Sequence, residues 1–278
     1  MRRFIIITFI VLGLLFFGFT FFDYQTSELL YREDGLIGRL TREYIYIPIY
    51  LVALFFTLVL IYSSPIKKGP FKKVFQVLFI IAYGVILFGY ASILYRETNG
   101  NLIWILLSLP ILIIGSFLFN ALIPNEERHQ YEIPALIYLP VLLVMNLTVN
   151  GLKVIIDRMR YLAVDEVNDF TYWFSPSGFF TFSHDYNSFP SGHVGSVAVL
   201  MGIVLIPLMV TRFKPYLKHA IVFSSMIILL TALGRVMDGK HYVTDVVFSI
   251  ALVLGLYVVF WKVNLHHWLK TLFEPKTS

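Results

Sequence analysis

Pro190-Ser191-Gly192-His193 is the stretch of this chain best suited to handle an anion. Gly192 lets the backbone come close to an anion, Ser191 adds a hydroxyl, and His193 can move a proton. The apolar run that follows reads as a helix. Its free N–H groups and the positive end of its dipole would point at the same place. The result is a phosphate pocket with an acid–base group beside it. A Pro-Ser-Gly turn that only caps a helix, with a solvated His, looks the same, so the tetrapeptide takes its meaning from what the rest of the chain brings to it.

Two further groups could be brought. Lys153 and Arg160 are seven residues apart. If the helix before them continues, they share one face about 10 Å apart along its axis, a spacing that suits an extended anion. A positive membrane flank is the plain alternative for Lys153. Asp157, with Arg158 beside it, lies in the same stretch as a candidate internal partner. The other group is Arg235-x5-His241-x3-Asp245. At i and i+4 on one helical face, Asp245 can accept the Nδ1 proton of His241. That leaves Nε2 facing outward, as a nucleophilic imidazole requires. Arg235 adds a forked donor for phosphate oxygens. Asp245 near a helix start could also be only a cap, although an ionisable pair at the mouth of a membrane span is a functional candidate by default.

The elements that must position these groups are membrane helices. Of 278 residues, 58% are hydrophobic and 14% charged, where a soluble domain carries about 25% charged residues. The net charge of +5 sits at the ends of apolar runs, which marks a membrane protein rather than a nucleic-acid binder. There is no cysteine, so disulfides, thiolate chemistry and Cys-based metal sites are excluded. Eight segments are apolar and long enough to span: 4–22, 45–62, 74–94, 102–123, 133–150, 194–211, 217–236 and 242–261. Pro134 and Pro140 both fall in the fifth. The first follows Met1-Arg2-Arg3 like a signal peptide. Its 19-residue apolar stretch is too long, however, and no small-x-small cleavage site follows, so it reads as a retained helix.

Orientation follows from Lys and Arg near the helix ends. With the N-terminus inside, 13 lie on the cytoplasmic side, including Lys67, Lys68, Lys72 and Lys73, against 9 outside, and an even number of spans returns the C-terminus inside. Residues 23–44 then form an outer segment, either a surface-lying amphipathic helix or a polar linker. The long outer loop 151–193 begins basic and turns aromatic at Phe170, Tyr172, Trp173, Phe174, Phe179, Phe180, Phe182 and Tyr186. Such side chains favour the headgroup layer. In chain order this gives 1–100 as N-terminal spans with an interfacial segment and 101–278 as the region carrying the motifs.

Taken together, Lys153, Arg160, Pro190-Ser191-Gly192-His193 and Arg235, His241, Asp245 resemble the type 2 phosphatidic acid phosphatase and vanadium haloperoxidase superfamily. Its pattern is Lys-x6-Arg-Pro, Pro-Ser-Gly-His and Ser-Arg-x5-His-x3-Asp. The resemblance covers about residues 133–261. It implies an all-α, polytopic six-helix core, here with two extra N-terminal spans. Tyr161 stands where the family has Pro, and Gly234 where it has Ser, losing a hydroxyl that could touch phosphate.

The resemblance also implies a lipid phosphatase of a bacterial inner membrane, acting on its outer face without metal or other cofactor. Catalytic residues would be His193, His241 and Asp245. Lys153, Arg160, Ser191, Gly192 and Arg235 would bind phosphate. His241 would form a phosphohistidine stabilised by Asp245, while His193 would protonate the leaving oxygen and then activate water. Substrates of bacterial members include undecaprenyl diphosphate, phosphatidate, phosphatidylglycerophosphate and lipid A phosphates. The partners implied are a phosphorylated lipid substrate and the membrane lipids, with no nucleic acid. A lipid phosphotransferase using the same site is the alternative within enzymes. A transporter is the alternative outside them. It would carry polar groups at mid-membrane, where this chain has little beyond Gln76 and Asn146.

Overall fold

The structure, a computed structural model, describes residues 2–33, 35–43, 45–64, 66, 70–98, 100–175 and 184–263. It is helical, with no strand among the described residues. The long helices are α1 (Arg2–Thr20), α4 (Tyr46–Ser63), α5 (Pro70–Glu97), α6 (Leu102–Ala121), α7 (Glu132–Ile156), α10 (Leu217–Met237) and α11 (Val243–Val263). Shorter ones are α2 (Asp23–Leu30), α3 (Leu36–Glu43), α8 (Gly192–Ala198) and α9 (Leu205–Met209). Among the described residues, seven helical stretches are long and apolar enough to cross a membrane. There are eight if α1 and α2, bent by 87° where they meet, count as one. The chain is an all-α polytopic membrane protein. Lys67, Lys68, Phe179, Phe180, Phe182 and the tail from residue 264 lie outside the described residues.

The helices follow from composition with two exceptions. Pro134 is tolerated because it sits in the first turn of α7, where no intrahelical acceptor awaits its missing N–H. The first exception is the sixth expected span. It is α8, then a 3-10 stretch Val199–Val204, then α9. Tyr257 donates its hydroxyl to the Val199 carbonyl at 2.6 Å. Pro207 cannot donate to the carbonyl four residues back, and both features loosen α-helical winding. The second exception is the interfacial segment. It is helical rather than a polar linker, made of α2 and α3, and α2 buries Asp23 and Ser27 against the rest of its unit.

The chain folds into two compact units that interleave in sequence. The first holds residues 1–42, 143–198 and 226–256, and the second 43–142, 199–225 and 257–278. In the first, Val194, Val236, Val246 and Val247 form a core lined by Leu12, Phe16, Leu30 and Ile250. Phe16, Trp173, Phe189 and Phe248 pack ring to ring beside it. Trp173 also donates to the Thr20 hydroxyl at 3.1 Å, so this ring turns inward while Tyr172 and Phe174 beside it are exposed. In the second unit α4 is the buried centre, packed on α5 and α6, with Ile49, Ala53, Leu54, Phe56 and Leu60 wholly enclosed. The outer faces of α5 and α6 expose Leu78, Val85, Phe88, Leu106 and Leu118, a surface suited to lipid.

Candidate active site

All the motif residues lie in the first unit. Lys153 is in the last turn of α7, which ends at Ile156. Asp157 then takes a left-handed conformation (φ +48°) and its N–H closes onto the Lys153 carbonyl at 3.0 Å, the usual way to stop a helix. The helical face expected to join Lys153 and Arg160 therefore does not exist. Arg160 is in extended backbone, its N–H bonded to the Asp185 carbonyl at 2.8 Å, and its side chain is buried. The Lys153 ammonium reaches the Pro-Ser-Gly-His turn instead. A Cβ on Gly192 would stand 3.6 Å from its Nζ, so the glycine keeps that approach open.

At that turn, the Ser191 hydroxyl oxygen accepts from the Val194 N–H at 3.4 Å and caps α8. The Ser191 N–H donates to the Asp245 carbonyl at 3.2 Å and is thereby occupied. Its hydroxyl proton and the Gly192 amide are the donors the turn has left to offer an anion. His193 follows in the first turn of α8, buried.

The third group lies between α10 and α11. Arg235 closes α10, buried and paired with Asp238 at 3.3 Å. Gly239 (φ +64°) reverses the chain, and the His241 N–H returns to the Arg235 carbonyl at 3.3 Å. His241 precedes α11 rather than lying on it. Its Nδ1 donates to the Ser188 carbonyl at 2.6 Å. A carbonyl only accepts, so Nδ1 carries a proton, and in the neutral imidazole Nε2 then keeps the lone pair.

This corrects the expected His241–Asp245 hydrogen bond. The nearest Asp245 oxygen is 3.7 Å from Nδ1, too far to accept its proton, though near enough for its charge to act. Asp245 is engaged elsewhere. It takes Arg158 Nη1 at 2.6 Å, the Ser188 hydroxyl at 2.5 Å and the Tyr242 N–H at 2.8 Å. The last bond makes it a cap of α11 as well. Burial holds the His241 imidazole well below its ordinary value. Asp245 opposes that shift, while the charges of Arg235 and Lys153 add to it. The histidine is thus a neutral base with cations about it.

Reasoning from the sequence missed three participants. Ser188 had no role there, since a backbone carbonyl carries no signature. Arg158 is fully buried between Asp245 and Asp23, the latter 3.0 Å away. An arginine two residues before Arg160 was a visible signal, but its partners were not. Nothing near Asp23 marked it. Among the described residues, no cluster of three or more His, Asp or Glu is placed to hold a metal ion.

No curated relative and no solved structure matches the chain. A family model does, over residues 134–270, which take in Lys153, Arg160, both histidines and Asp245. Membership of that family carries phosphatase-type hydrolase chemistry, which agrees with a neutral histidine set among buried cations. On that match, and on the three motifs it encloses, this half of the chain belongs to the PAP2 superfamily.

Proposed function

We propose that the protein hydrolyses a phosphomonoester or diphosphate of a membrane lipid through a phosphohistidine on His241. The observation that carries this reading is the Nδ1–H bond to the Ser188 carbonyl, which leaves Nε2 a lone pair for phosphorus. In the first step Nε2 bonds to phosphorus as the phosphorus–oxygen bond to the leaving group breaks. His193 gives that oxygen its proton. In the second step His193 takes a proton from water, whose oxygen displaces Nε2 and releases phosphate. Lys153, Arg160, Arg235, the Ser191 hydroxyl and the Gly192 amide offset charge on the transferring phosphoryl oxygens. Asp245, near His241 but bonded to Ser188, favours the positive phosphoimidazolium by its charge. The distribution of Lys and Arg supports a site on the outer face, with both termini cytoplasmic, and the membrane-spanning helices that carry the site support a lipid substrate.

Trapping tests it. Full-length enzyme, rapidly quenched with labelled p-nitrophenyl phosphate, should carry label on the His241 peptide. His193→Ala should accumulate that label, because a good leaving group needs little protonation while the second step has lost its base. Label on His193 would exchange the two roles, and turnover with label on neither would end the covalent mechanism.

A further inference from the structure

We propose that the N-terminal segment 23–41, which precedes the matched stretch 134–270, is a working part of this site, with Asp23 as a positioning residue for His241. The proposal rests on the phosphatase reading above. Asp23 lies beside the start of α11. Its Oδ1 accepts the Thr244 N–H at 3.1 Å, and its Oδ2 accepts the Thr244 hydroxyl together with Arg158 Nη2 at 3.0 Å. Arg158 is thereby fixed from behind, and its other nitrogen reaches Thr244 Oγ1 at 2.9 Å and Asp245 at 2.6 Å. Its guanidinium lies 4.0 Å from the centre of the Tyr242 ring. The linkage then runs from Asp245 to the Ser188 hydroxyl, and from the Ser188 carbonyl to His241. Each member is buried, so a change in the position of one cannot be absorbed by solvent.

An independent observation points the same way. The chain departs from the family pattern at Tyr161 and Gly234, and segment 23–41 touches both. The Tyr161 ring packs on Tyr24 and Tyr31, with centroids 5.6 and 5.5 Å away. A Cβ on Gly234 would run into the Thr41 hydroxyl and lie 3.2 Å from the Ile37 carbonyl oxygen. A serine there has no room while α3 is in place. The turn after Arg235 is gripped as well, since the Arg32 N–H bonds the Met237 carbonyl at 2.9 Å. An aromatic in place of Pro and a glycine in place of Ser are what a segment seated on these two positions requires.

The test uses the full chain in detergent micelles with two probes, p-nitrophenyl phosphate and dioleoyl phosphatidate. Asp23→Asn keeps an acceptor for Thr244 but removes the charge that fixes Arg158. We expect kcat per phosphoenzyme-forming site to fall at least about 10-fold, with KM within about 2-fold. A purely structural Asp23 would lower the melting temperature and the number of active sites but leave kcat per site unchanged, which would overturn the proposal. Gly234→Ser, which restores the family residue, should lose activity by about 10-fold, and Thr41→Ala in the same chain should recover part of it. Gly234→Ser equal to or better than the parent would also overturn the proposal. If Asp23→Asn does not fold, the Gly234–Thr41 pair decides. His241→Ala and Asp245→Asn are the reference. If both keep full activity, the phosphatase reading fails and this proposal with it. If both are inactive while Asp23→Asn and Gly234→Ser match the parent, only this proposal fails.

Discussion

The two units treat polar side chains in opposite ways. In the second unit they mostly fold back on their own helix. Thr57 bonds the Ala53 carbonyl, Ser108 that of Trp104, and Ser224 that of Ala220, at 2.6–2.8 Å. Each has an acceptor within one turn of its own helix. In the first unit Asp23, Arg158, Ser188 and Asp245 find one another across 57 to 135 residues of sequence. Removing one partner from such a set strands the others in a medium that cannot solvate them. A membrane protein can carry hydroxyls cheaply by local bonds, whereas charges linked over long distances gather here in the unit that holds the motifs.

Breaking the first unit at His241, the proposed nucleophile, should have the largest effect. His241→Ala should abolish turnover of phosphatidate and of p-nitrophenyl phosphate alike, with no labelled intermediate, in protein that is still folded. Next comes Asp245→Asn. The amide still accepts from Tyr242 but no longer offers a charge to the phosphoimidazolium. The barrier should rise by about 2–4 kcal/mol, read as a fall of roughly 30- to 1,000-fold in kcat. Activity near that of the parent would reduce Asp245 to a helix cap and erase the distinction between the units.

A smaller effect lies in the pH dependence of stability. His241 folds with its pKa held well below the ordinary 6.5, so below that pH the unfolded chain binds a proton that the folded chain refuses. Stability should therefore fall as the pH drops through 6.5, and His241→Gln should flatten that slope in melting curves. An unchanged slope would mean that His241 is not buried neutral. The smallest effect is expected in the second unit. Tyr138 donates to the Ile49 carbonyl at 3.1 Å, and Tyr138→Phe should cost about 1 kcal/mol in stability with kcat unaltered. A loss of activity there would show that the division of labour between the units is not the one drawn here.

The sequence by itself determined which segments are helices that can cross a membrane, because length and apolar composition are local properties of a run. It also determined which side chains are equipped for phosphate chemistry, since three short motifs specify residue types at fixed spacing. It did not determine how those side chains are held. That Asp157 stops α7 before Arg160, or that α8 gives way to a 3-10 stretch under the Tyr257 hydroxyl, depends on backbone conformations and partners that no periodicity encodes. The acceptor of the His241 proton is a carbonyl 53 residues away, and Asp23 meets Thr244 across 221. Every residue carries a carbonyl and many segments carry an Asp, so neither stands out until the fold brings it to its partner. The residue types were local facts, while the proton on His241 Nδ1 and the contacts of segment 23–41 are consequences of packing, decided only once the chain had closed on itself.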